Sequence, residues 1–141
     1  MRVGPFEREH LPLLLNLVNL HLAAVVPGLA ISEAFLAGHL HRNLDEYITD
    51  PWVEERATLC AVEGHRMLAA AHLLRYGDDL QVGEYLRDVG EVAWFVFLPD
   101  RDDAAGEVLS RVRGRLAAWR VTRRQAYGAG LPKMPLLGIP E

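Results

Sequence analysis

From Val92 to Leu98 the chain places seven apolar residues in succession, Val-Ala-Trp-Phe-Val-Phe-Leu. A strand with one wet face alternates apolar and polar residues. An unbroken run instead asks for cover on both faces, in the middle of a sheet. Pro99 ends the run, and Asp100-Arg-Asp-Asp-Ala-Ala-Gly-Glu-Val-Leu109 turns into a helix with Val108, Val112, Leu116 and Trp119 on one stripe. Such a turn delivers helix amides that lack partners within the helix, which suits them to a phosphate or diphosphate. The segment therefore predicts a central strand, a turn able to hold a nucleotide-like anion, and a covering helix.

The rest of the chain supplies the sheet around that strand. Arg2 to Phe6 reads as a short strand, followed by a helix over Leu11 to Val26 with Leu13, Leu17, Leu20 and Ala24 at helical spacing and Pro27-Gly28 as its stop. Ser32 is placed to cap a second helix carrying Phe35, Leu36, His39 and Leu40. Asp50-Pro51 breaks the chain. Thr58 to Glu63 and Met67 to Tyr76 form a hairpin turning at Gly64-His65. Gly77 to Gly90 is a polar, acidic loop with a helical turn at Glu84 to Leu86. Gln125 to Ala129 is a fifth strand, and Leu131 to Pro140 an irregular tail.

Composition narrows the class. At 141 residues, half of them hydrophobic, residues 1–141 make one small domain. A net charge of −4 gives no overall pull toward nucleic acid or anionic lipid. The apolar run Leu11 to Val26 is interrupted by Pro12, Asn16, Asn19 and His21, so it is too short and too polar to span a bilayer. Cys60, the sole cysteine, has no internal disulfide partner and apolar neighbours. A core thiol in a reducing cytoplasm is the expectation.

The order strand, two helices, strand pair, central strand, helix, strand resembles the first five strands of the GNAT family of N-acetyltransferases. Arg101-Asp102-Asp103-Ala104-Ala105-Gly106 resembles the family's Gln/Arg-x-x-Gly-x-Gly/Ala turn at Arg101 and Gly106, with Ala104 at the first glycine position. Arg2-Val-Gly-Pro-Phe, Leu59-Cys-Ala-Val-Glu-Gly64 and Met67-Leu-Ala-Ala-Ala-His72 are similar to the family's opening strands. The resemblance implies an α/β (α+β) fold: a mixed, mostly antiparallel sheet with helices on both faces. The family's last helix and two strands are missing before Glu141, so the expectation is an incomplete domain, its missing wall supplied by a longer chain or another subunit.

The resemblance also implies acetyl-CoA as co-substrate, held by Phe95, Val96, Phe97, Arg101, Ala104, Ala105, Gly106 and Glu107. The acceptor is expected to be a small-molecule or peptide amine. Acetyl transfer to an amine needs a proton acceptor near the central strand, and Glu91 is the candidate for that catalytic role. Backbone amides near Val96 and Phe97 can hold the pantetheine arm and polarise the thioester. The acids Asp100, Asp102 and Asp103 stand where a polyanion approaches.

Each residue has a plainer reading. Glu91 is then a solvated residue at the edge of an apolar strand, Arg101 pairs with a neighbouring aspartate, and Ala104 to Gly106 only let the helix pack closely. Trp94, Phe95 and Phe97 read as core, while Trp52 either caps the core edge or lines a cleft. His39 and His41 are two apart on a helix, and His65 and His72 lack a cysteine or paired carboxylate at ligand spacing, so no metal site is expected. The Arg111 to Arg124 run reads as a solvated helix face paired with acidic loops; a nucleic-acid partner would call for an overall positive chain. An alternative to catalysis is an inactive module that serves as tandem half or partner-binding domain, its unfinished sheet edge favouring a homodimer.

Overall fold

The computed structural model describes residues 1–41 and 52–126. The predicted break at Asp50-Pro51 and the predicted tail Leu131 to Pro140 lie outside them. Strand β1 (Arg2–Pro5) leads through a single 3-10 turn (Arg8–His10) into α1 (Leu11–Val25) and α2 (Glu33–Leu40). The hairpin β2 (Val53–Glu63) and β3 (Arg66–Tyr76) follows, then β4 (Val89–Phe97), α3 (Asp102–Trp119) and β5 (Arg123–Ala126). The sheet order is β1-β2-β3-β4-β5, antiparallel throughout except for the parallel pair β4 and β5. A parallel pair needs a crossover, and α3 is that crossover. The expected element order and the mixed, mostly antiparallel sheet are both observed.

Local chemistry explains most boundaries. The Ser32 hydroxyl accepts from the Phe35 amide at 3.1 Å, the cap the sequence called for. Gly64 takes φ +61° in the hairpin turn, a conformation that is cheap only without a Cβ. Three consecutive alanines, Ala69, Ala70 and Ala71, are wholly buried in β3, and their small side chains let helices approach both sheet faces.

Four expectations need correction. The buried seam of α1 is Leu14, Leu17, Val18 and Leu22; Leu20 is 52% exposed and Ala24 faces solvent. This helix is leucine-rich all round, so periodicity leaves its rotation open. Asn19 lies on the side turned toward the α2 approach: its side chain accepts from the Ile31 amide at 2.8 Å and donates to the Ile31 carbonyl at 3.2 Å. Strand β2 begins at Val53 rather than Thr58, because Arg75 of β3 reaches Glu54 at 3.1 Å and Glu55 at 2.9 Å and so lets charged residues continue the ladder. Strand β4 runs Val89–Phe97 rather than Val92 to Leu98, which moves Glu91 from the strand's start to its interior. Strand β5 starts at Arg123 rather than Gln125, in register with Val89; the part of the predicted strand beyond Ala126 is outside the described residues.

Candidate active site

Strand β4 carries an irregularity that decides where its side chains go. His72 pairs with Trp94 and the next residue, Leu73, pairs with Val92, so Ala93 is an extra residue. Two residues three apart in an unbroken strand point to opposite faces; with one residue looped out, Glu91 and Trp94 share a face. Gly90 identifies the other face, since a Cβ built on it would lie 2.6 Å from Leu116 of α3. Glu91 therefore points away from α3, toward the side where His39 of α2 meets Trp94.

That face holds a group of polar side chains inside the core. Glu91 is 0% exposed, and Gln125 of β5 donates to its carboxylate at 2.8 Å. His72 is 1% exposed; its Nδ1 and the Thr58 hydroxyl are 2.8 Å apart, and its ring stacks on Trp94 at 5.6 Å. The Trp94 indole donates to His39 Nε2 at 2.9 Å. An indole N–H can only donate, so His39 Nε2 must be unprotonated while this bond exists. The rings of His39 and His72 stand 5.5 Å apart. Thr58, His72 and Trp94 are cross-strand neighbours on β2, β3 and β4, so the sheet register itself assembles the group.

The plain reading of Glu91 as a solvated strand-edge residue is thus not met. Burying a carboxylate without partners is costly, and this one is held by an amide donor. Sequence reasoning passed over His39, Thr58 and His72 as a site. A usable signal existed: His72 is the one polar residue in Met67 to Leu74, a segment that is otherwise uniformly apolar.

The described β4 to β5 ladder covers Val89 to Val92 against Arg123 to Ala126. Phe95 and Val96 are buried, Phe97 is partly buried, and the rings of Phe95 and Phe97 pack at 5.4 Å. The core reading of Trp94 and Phe95 agrees with their burial. Trp52 is partly buried and meets Tyr85 edge-on at 6.5 Å, at the margin of the core.

At the start of α3 the charges are already engaged. Arg101 donates through Nε and Nη2 to the two oxygens of Asp103, each at 3.0 Å, and through Nη1 and Nη2 to Glu63 at 3.4 and 3.3 Å. The pairing of Arg101 with a neighbouring aspartate, one of the two readings above, is what is seen. These bonds hold the Asp103 carboxyl down at about 2. The backbone N–H groups of Ala104 and Asp103 itself assist, although neither has the alignment of a full hydrogen bond. Arg101 in turn is pushed up, first by Asp103 and then by Glu63. Ala104 is fully buried, Ala105 is partly buried, and Gly106 and Glu107 are exposed. Close packing accounts for Ala104 but not for Gly106, where an added Cβ would meet nothing within 4 Å.

Elsewhere, burial pushes the Cys60 thiol up to about 11, with the Glu7 charge adding to the effect, as suits a core thiol. Among the described residues the one group at metal-ligand spacing is Glu7, Glu9 and His10, on the turn after β1 and mostly exposed. There His10 Nδ1 already accepts from the Glu7 amide at 3.3 Å. The arginine run does not pair with acidic loops: among the described residues its one side-chain hydrogen bond is from Arg123 to the Tyr85 carbonyl. No helix among the described residues is long and apolar enough to cross a membrane.

No family model and no curated protein sequence matches the chain. Solved structures do. An aminoglycoside 6'-N-acetyltransferase from Acinetobacter haemolyticus superposes with a TM-score of 0.60 at 19% identity, over 92% of this chain and 81% of that one. A ribosomal-protein-alanine N-acetyltransferase from Brucella melitensis gives 0.63 at 15% identity, over 92% and 76%. An acetyltransferase from Trypanosoma brucei gives 0.57 at 14% identity, over 91% and 83%. Identities this low speak for backbone architecture. With five strands in this order, a bulged central strand and the crossover helix between a parallel pair, the chain has the fold of the GNAT N-acetyltransferases.

Proposed function

We propose that the chain is an N-acyltransferase that moves an acetyl group from acetyl-CoA to a primary amine by direct attack. The observation that carries this reading is the buried Glu91 carboxylate, turned by the bulge at Ala93 to the face beneath α2 and held there by Gln125 of β5. A thioester arm laid along β4 from Trp94 to Phe97 would bring its carbonyl past that point. Main-chain N–H groups there would act as fixed dipoles on the carbonyl oxygen as charge builds on it. The incoming amine must be neutral to attack. Glu91 takes its proton, directly or through one water, the amine nitrogen bonds to the carbonyl carbon, and the thiolate departs and is protonated. No covalent enzyme intermediate is needed.

The polar group on the same face fits an acceptor side. Thr58, His72, Trp94 and His39 are fixed to one another on the sheet face that Glu91 shares, so they can orient an amine and limit water around it. The fold neighbours act on aminoglycosides and on a protein alanine, which supports a small-molecule or peptide amine as acceptor here. The buried reduced thiol of Cys60 suits a cytoplasmic setting.

Thiol release from acetyl-CoA in the presence of a panel of amines, including an aminoglycoside and a peptide with N-terminal alanine, tests the reading. The wild-type chain should release thiol faster than buffer with at least one amine. Glu91→Gln should lower that rate by about 10²- to 10⁴-fold, the usual worth of a general base. Absence of release with every amine would favour an inactive, partner-binding module instead.

A further inference from the structure

We infer that Asp103 takes the position at the start of α3 that a donor's diphosphate would occupy, so that this chain recognises its donor through the thioester arm and gains no affinity from the diphosphate. The inference rests on the acyl-donor reading above and adds a specificity-determining residue to it. The Asp103 carboxylate already receives the Arg101 Nε and Nη2 donors, each at 3.0 Å. Arg101 also donates twice to Glu63, so the cation nearest the turn is shared between two carboxylates. Glu63 also lies 4.0 Å from the chain's own terminal ammonium. The clasp therefore ties the end of β2, the start of α3 and the N-terminus together without any ligand.

An incoming diphosphate would meet a resident anion on Arg101, with Asp102 and Asp100 exposed beside it, in place of a free guanidinium. Like charges at one anion position exclude each other unless one is displaced. The low carboxyl value of Asp103 means that it stays charged at any pH where an enzyme of this kind would work. Ala104 adds a methyl group where a glycine would let a ligand's oxygens come nearer the backbone.

Calorimetric titration of the full chain with acetyl-CoA and, separately, with S-acetylpantetheine, which has the arm but no diphosphate, tests this. The wild-type chain should bind the two within about threefold of each other. Asp103→Asn and Asp103→Ala, which remove the competing anion and leave Arg101 held only by the longer bonds to Glu63, should tighten acetyl-CoA by about tenfold or more and leave S-acetylpantetheine unchanged. Wild-type affinity for acetyl-CoA more than about tenfold above that for S-acetylpantetheine would overturn the inference while leaving the acyltransferase reading intact. A ratio unmoved by both variants would overturn it too. Failure of both ligands to bind any of the three proteins would remove the donor reading, and the inference with it.

Discussion

Gly90 packs against α3 and Gly106 lies within it, and the structure gives them opposite roles. At Gly90 a Cβ would stand 2.6 Å from Leu116 and 3.0 Å from Val121, inside a packed layer. Gly90→Ala should therefore cost about 1–3 kcal/mol, the range for overpacking a core. At Gly106 the same methyl meets open space in a helix, so Gly106→Ala should raise stability by about 0.5–1 kcal/mol. Urea unfolding of the two variants checks both signs. A loss at Gly106 would mean that the helix start needs its glycine for the fold. Cys60 gives a second test: at 2% exposure, with its thiol pushed up, it should resist alkylation at pH 8 until the protein is unfolded. Glu91 shows how far single residues could be read from sequence. Its proximity to the central strand was legible. Its complete burial and its facing were not, because both depend on a one-residue bulge for which the sequence Val92-Ala93-Trp94 carries no mark.

Among the elements, α3 was the most legible and α1 the least. The stripe Val108, Val112, Leu116 of α3 is buried as its spacing required, since charged residues on the other side leave one rotation open. Helix α1 has leucines on every side, and one asparagine bonding to the Ile31 main chain marks its actual phase. The clasp at the start of α3 makes a pH prediction. Asp103 is depressed to about 2 in the folded chain against roughly 3.9 for a free aspartate, so its contribution is present above the higher value and lost as pH falls through the lower one. The Ala104 and Ala105 amide resonances should move with a midpoint near pH 2, and Asp103→Asn should remove that transition. A wild-type transition near pH 4, centred on the ordinary aspartate value, would contradict the clasp.

At the scale of the molecule, topology was readable because each strand had its own signal. The polar beginnings of β2, β4 and β5 were missed, since Glu54, Glu55, Glu91, Arg123 and Arg124 owe their places to partners on neighbouring strands. The candidate site was half legible for the same reason. Glu91 and the turn after Pro99 lie close together in sequence, whereas Thr58, His72, Trp94 and His39 meet only once three strands are in register and α2 lies over them. Charge is also unevenly spread. Residues 111–124 hold six arginines and no acid, so the remainder of a chain at −4 carries −10. That remainder includes the acids around Arg101, which again sets the start of α3 against anionic ligands.

The central claim is that the acyl donor lies along β4 beyond Val92, next to Glu91. Amide spectra of the labelled chain during titration with acetyl-CoA test it most directly. The account predicts shifts and slowed hydrogen exchange at the Trp94 to Phe97 amides, with smaller changes at Asp102 to Ala104. Saturable binding that leaves Trp94 to Phe97 unmoved and perturbs another surface would contradict it.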